Sequence, residues 1–180
     1  SLSKQRDISI HGLLVAAISQ SFVDYLRKDQ TLASIASKNK ETLPVVSTMD
    51  LRRRVEPTLA VSDLGCYSSG CVHEILPHWQ NTNISTDEYC SMARLAETTL
   101  TKQITKNQHW KLLRIYQLFG LSGMKHIFKS SAEKPMSMPL SLANLGRLNF
   151  PESSELKVTN FEIAPAFHAN GPSINIQCYT

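Results

Sequence analysis

The side chains that could do chemistry in this chain are six histidines, four cysteines and an arginine triplet, Arg52-Arg53-Arg54. Their spacing rules out several familiar sites. His73-Glu74 begins like a metalloprotease H-E-x-x-H, but position 77 is proline, so no second imidazole follows at helical spacing. His109 and His126 have no ligand partner at such spacing, and His11 stands alone in an apolar stretch, where it reads as an ordinary helix residue. Cys66, Cys71, Cys90 and Cys178 form no C-x-x-C pair and are expected to be reduced and mostly buried. Gly65 and Gly70 are five apart, so the segment between them is not a G-x-S-x-G nucleophile elbow. Two features remain. Arg52 closes an apolar run, where a guanidinium could grip a carboxylate bidentately, or form an ordinary surface ion pair. Asn144-Leu145-Gly146 interrupts another run, and a glycine there marks a bulge or the close approach of a backbone or ligand.

These residues are positioned by elements legible from periodicity. Ile8–Arg27 is predicted to be an amphipathic helix whose stripe is Ile10, Leu13, Leu14, Ala17, Ile18 and Phe22, capped by Ser9. A polar connector, 29–41, leads to a strand over Leu43–Arg52, in which Val45, Ser47, Met49 and Leu51 share a face. Pro57 marks a loop, and Gly65–Gln80 is a second extended segment. Ser85–Lys106 is predicted to be a helix opened by a Ser85/Glu88 capping box, with Tyr89, Met92, Ala96, Thr99, Leu100 and Ile104 on its apolar face. A further helix spans Gln108–Phe119 and stops at Gly120, with a short turn through Met124–Phe128. Met138–Phe150 alternates with a two-residue period, and strands at Lys157–Phe167 and Ile174–Tyr179 flank an Asn170-Gly171 turn signal. The order implies an α/β chain with a mixed, mainly antiparallel sheet covered by helices.

Bulk properties narrow the partners. The 180 residues suffice for one domain, and 42% hydrophobic against 19% charged residues describes a globular chain. A net charge of +4 with one short basic cluster argues against nucleic-acid binding, and suits an anionic thioester donor. There is no signal peptide pattern and no apolar run long enough to span a membrane, so a cytoplasmic protein is expected. Asn83-Ile84-Ser85 matches a glycosylation sequon but is better read as a helix start.

Leu142–Leu148, LANLGRL, resembles the "SNLG" strand of the chloramphenicol-acetyltransferase-like superfamily, which includes condensation domains and polyketide-associated (phthiocerol diester type) acyltransferases. Leu43–Arg52 is similar to that family's "V-x-V-D-L-R" strand, the L-G-x-Y of Leu64–Tyr67 followed by the G-x-V of Gly70–Val72 to the strand after it, and Ile8–Phe22 to the helix opening the second lobe. The resemblance implies that residues 1–180 are the C-terminal lobe of a two-lobed acyltransferase, whose last strand stops at Thr180 where the family continues into a further hairpin. The general base of the family's His-His-x-x-x-Asp-Gly motif does not occur in these residues. By the same resemblance Arg52 holds the motif's aspartate, and Asn144, Ser141, Gly146 and Gly65 line the tunnel or bind the oxyanion. Ala143 stands where the family commonly has serine, which removes a hydroxyl from that position. The implied activity is acyl transfer from a coenzyme A or phosphopantetheinyl thioester, used as co-substrate rather than held tightly, to an alcohol or amine. The implied partners are the N-terminal lobe, an acyl carrier protein or a second copy. A non-catalytic condensation-like module that docks a carrier or partner is the alternative, and the chain alone is expected to be inactive.

Overall fold

A computed structural model describes residues 2–28, 42–60, 63, 67–81, 83–111, 114, 117–120, 140–145 and 174–178. Within them the order is a short helix α1 (Leu2–Arg6), helix α2 (Ile10–Lys28), strand β1 (Leu43–Asp50), a 3-10 turn at Arg52–Arg54 and strand β2 (Ser68–Ile75). Helix α3 (Thr86–Thr105), a second 3-10 turn at Gln108–Trp110, and strands β3 (Leu140–Asn144) and β4 (Ile174–Cys178) follow. The expected connector, the turn at Met124–Phe128 and the strand at Lys157–Phe167 lie outside the described residues.

The helix starts are built as their sequences imply. Gly12 N–H donates to Ser9 Oγ at 3.0 Å, so Ser9 caps α2. Ser9's own N–H donates to Glu97 of α3, which does across two helices what the glutamate of a capping box does within one. At α3 the box is complete: Glu88 N–H donates to Ser85 Oγ at 3.2 Å and Ser85 N–H to Glu88 Oε2 at 2.7 Å. These bonds hold the exposed Glu88 carboxyl below its usual range. Gly120 takes φ of 58°, the left-handed conformation that suits a glycine at a helix stop.

The four described strands form one mixed sheet in the order β2-β1-β3-β4. β1 and β2 pair antiparallel, from Leu43 opposite Ile75 to Asp50 opposite Ser68. β1 and β3 pair parallel, with Val45 beside Leu140 and Ser47 beside Leu142, and β3 and β4 are also parallel. The expected α/β class and mixed sheet are present; among the described strands one pair is antiparallel and two are parallel. β1 and β2 follow each other without an intervening α-helix, whereas α3 lies between β2 and β3, and parallel neighbours such as β1 and β3 need a crossover of about a dozen residues or more.

Both long helices cover one face of this sheet. The core joins Val15 and Ala16 of α2, Met92, Ala93 and Ala96 of α3, and Leu43, Val45, Ile75, Leu140 and Leu142 of the strands. The most buried positions of α2 are Gly12, Val15, Ala16, Ser19, Gln20 and Val23, one step round from the predicted stripe. Ile10, placed in that stripe by periodicity, is 63% exposed. Close contact with α3 selects the small residues: a Cβ on Gly12 would lie 2.9 Å from the carbonyl oxygen of Ala93 and 2.8 Å from Glu97 Cγ. Leu13, Leu14, Ile18 and Phe22 pack partly buried around the core.

Candidate functional site

The parallel pairing of β1 and β3 brings the C-terminal ends of both strands to one edge of the sheet. Arg52 lies two residues beyond the end of β1, and Asn144 is the last residue of β3. Ligand sites of α/β sheets collect at such carboxyl ends. β3 is flanked by β1 and β4, and Leu140 to Ala143 are all buried. The ladder with β4 continues to Leu145, whose N–H donates to Cys178 O at 2.8 Å. Ser141 is 4% exposed and shares with its register partner Val46 the face away from α2 and α3. On that face β4 places Asn175 beside Ser141 and Gln177 beside Ala143, and the buried side-chain oxygens of both amides lack a hydrogen-bond partner. Gly65 and Gly146 lie outside the described residues.

Arg52 is held in place from three sides. Its Nη1 donates to Asp50 Oδ1 at 3.1 Å, its Nη2 makes a long 3.5 Å contact with Asp63 O, and its guanidinium lies 5.0 Å from the centre of the Tyr67 ring. Asp50 also accepts from Arg52 N–H at 3.0 Å, and that backbone bond, with the guanidinium, holds its carboxyl below the usual range. The Nε of Arg52 is buried without a partner. The Nε–Nη2 edge, the fork that takes a carboxylate bidentately, is therefore free of any anion among the described residues. Arg53 and Arg54 are exposed and, with Asp50, Arg52 and Leu59, line an open cavity of about 530 Å³.

Beneath the sheet lies a polar chain that sequence reasoning missed. His11 Nε2 and His73 Nε2 each lie 2.8 Å from Ser47 Oγ, and His73 Nδ1 lies 3.5 Å from Thr99 Oγ1. Thr99 in turn donates to Leu95 O at 2.9 Å. Ser47 and His73 are 2% and 1% exposed. Burial, with His11 adding to it, pushes the His73 imidazole down to about 4. Burial also lowers His11, against the opposing pull of the Glu97 carboxylate. The signal was present in the strand pattern: Ser47 follows Val45 on the inward face of β1, and His73 sits between Cys71 and Ile75 on that of β2. A polar residue at an inward position demands a partner.

Other features carry less. An apolar cavity of about 330 Å³ opens between Ala17, Ile18, Phe22 and Tyr25 of α2 and Leu140 and Ile176 of the sheet. Cys71, Cys90 and Cys178 are free thiols, and Cys66 lies outside the described residues. Among the described residues no group of three histidine, cysteine or acidic side chains could hold a metal ion, and no helix is long and apolar enough to cross a membrane.

No protein-family model and no curated protein matches the chain. Among solved structures it is similar to that of vinorine synthase, at 20% identity and a TM-score of 0.46 over 81% of this chain. The chain spans 29% of the length of that protein.

Proposed function

We propose that this chain is the C-terminal lobe of a chloramphenicol-acetyltransferase-like acyltransferase, acting with an N-terminal lobe that brings the general base. The observation that carries this is the pairing of β1 with β3. The two segments that resemble the family's arginine and "SNLG" strands are hydrogen-bonded parallel neighbours, so Arg52 and Asn144 reach one end of the sheet. The unpaired Nε of Arg52 supports the role given to it, since a guanidinium with a free donor can take the aspartate of a His-His-x-x-x-Asp-Gly loop from the other lobe. In this function the histidine of that loop takes a proton from an alcohol or amine, which attacks the carbonyl of a thioester. Asn144, Ser141, Gly146, Gly65 and main-chain amides would line the tunnel and stabilise the oxyanion. The donor is a coenzyme A or carrier-protein thioester in the cytoplasm, and the basic Arg52–Arg54 cavity suits its anionic phosphates.

One observation favours a second reading, a non-catalytic module that docks a carrier or partner protein. Ala143 is buried at the position where the family commonly offers a hydroxyl. Turnover of an acyl thioester by the protein carrying both lobes separates the two, and Arg52 supplies the specific test. With both lobes present, Arg52→Ala leaves the loop aspartate buried without a partner, at a cost on the order of 3–5 kcal/mol, and turnover collapses. In this chain alone it removes only a partly exposed ion pair and a ring contact, worth about 1 kcal/mol. Arg53→Ala is mild in both. Equal, small effects of Arg52→Ala and Arg53→Ala in the two-lobed protein would remove Arg52 from the site.

A further inference from the structure

Of the three groups that hold Arg52, two act through its donors, and both are weak. Nη1 donates to Asp50, whose side chain is 57% exposed, and ion pairs so open to water hold a long side chain loosely. Nη2 reaches Asp63 O only at 3.5 Å, the limit of a hydrogen bond. The third is the Tyr67 ring, with the guanidinium carbon 5.0 Å from its centre. That contact is of another kind. The negative face of the ring attracts the cation as a whole, so it sets where the guanidinium lies without supplying a lone pair to any one N–H. Nε stays buried and unpaired.

Strand register fixes the ring beside the arginine. β1 and β2 pair as far as Asp50 and Ser68, and their ladder runs one step further, with Leu51 N–H donating to Tyr67 O at 2.7 Å. At Leu51, with φ of −94° and ψ of −7°, the chain leaves the strand and opens the 3-10 turn at Arg52. The residue that carries the ring is thus bonded through its backbone to the residue just before the arginine. In the sequence the two close separate motifs: Arg52 ends Met49-Asp50-Leu51-Arg52, and Tyr67 ends the L-G-x-Y of Leu64–Tyr67.

We propose that Tyr67 is the positioning residue of Arg52: its ring holds the guanidinium at the carboxyl end of β1 so that the unpaired Nε meets a carboxylate arriving from the other lobe. For that carboxylate the proposal rests on the acyl-transfer reading; the hold of the ring on Arg52 belongs to this chain alone. The aromatic face is the working part, so phenylalanine serves in its place and leucine does not.

The first measurement is made on the full chain, following the Arg52 Nε–H group by NMR, with Arg52→Lys identifying its signal. Lying against the ring face, that proton is expected upfield of the other arginine Nε–H signals, and slow to exchange because Nε is buried. Tyr67→Phe should keep both properties. Tyr67→Leu should abolish the upfield shift and speed exchange by about fivefold, the weight of a cation–π contact at a partly exposed site, and Asp50→Asn should speed it less. An Arg52 signal without the upfield shift in the unsubstituted chain overturns the proposal whether or not the variants fold, and so does a larger effect of Asp50→Asn than of Tyr67→Leu. The second measurement is acyl turnover by the protein carrying both lobes. Tyr67→Leu is expected to lower kcat by about fivefold with KM for the thioester unchanged, and Tyr67→Phe to stay near the unsubstituted value. Full turnover in Tyr67→Leu, where Arg52→Ala abolishes it, overturns the positioning role and leaves the acyl-transfer reading standing. If Arg52→Ala is harmless as well, that reading of Arg52 falls and takes the positioning role with it.

Discussion

At the scale of single residues, Gly12 shows how packing reverses an intrinsic preference. Glycine inside a helix is worse than alanine by about 1 kcal/mol, so Gly12→Ala would stabilise an isolated α2. Here the new methyl would meet the Ala93 carbonyl oxygen at 2.9 Å, and that atom belongs to the backbone of α3 and cannot swing aside. Overpacking of this kind costs about 1–3 kcal/mol. Gly12→Ala is therefore expected to lower stability by about 1–2 kcal/mol, read as a lower urea midpoint with an unchanged m-value. The same substitution in a peptide of α2 alone should raise helicity. At this scale the role of Arg52 was foreseeable in part: its place after β1 is written in the strand pattern, but its three-sided support by Asp50, Asp63 and Tyr67 depends on a loop whose path no local pattern encodes.

At the scale of elements, the helices behave as their ends imply. Ser85 closes a complete capping box, so Ser85→Ala is expected to cost about 1 kcal/mol, checked by chemical denaturation, with Ser85→Asp restoring most of it. The sheet and helices together set a pH dependence through His73. Its pKa is pushed from 6.5 in the unfolded chain down to about 4 in the folded one. Above pH 6.5 neither state binds the proton and the stability is fully present. As pH falls from 6.5 toward 4 the unfolded chain binds a proton that the folded chain excludes, so stability declines, by a total on the order of 3 kcal/mol. Urea midpoints measured across that window should show this decline and lose most of it in His73→Gln.

At the scale of the whole molecule, several large apolar side chains stand open to solvent. Val72, on the face of the sheet away from α2 and α3, is 43% exposed, and elsewhere Leu118 and Phe119 are 78% and 58% exposed. Large apolar side chains left this open favour association, so the chain is expected to self-associate, or to bind an N-terminal lobe when one is supplied. Sedimentation velocity over a concentration series checks this. Leu118→Glu with Phe119→Glu should shift the distribution toward monomer without changing the circular dichroism spectrum.

By itself the sequence determined the local elements of this protein: the start of α2 at Ser9, the capping box of α3, the alternation of β1, and the stop at Gly120. Each rests on interactions between residues a few positions apart, which composition and period express directly. Only the tertiary structure decided that β3 lies beside β1 in parallel, that α2 turns Gly12 and Ala16 rather than Ile10 inward, and that His11, Ser47 and His73 meet. His11 and Ser47 are separated by 36 positions and Ser47 and His73 by 26. A buried hydroxyl such as that of Ser47 finds its partners across the core, where chain separation carries no weight.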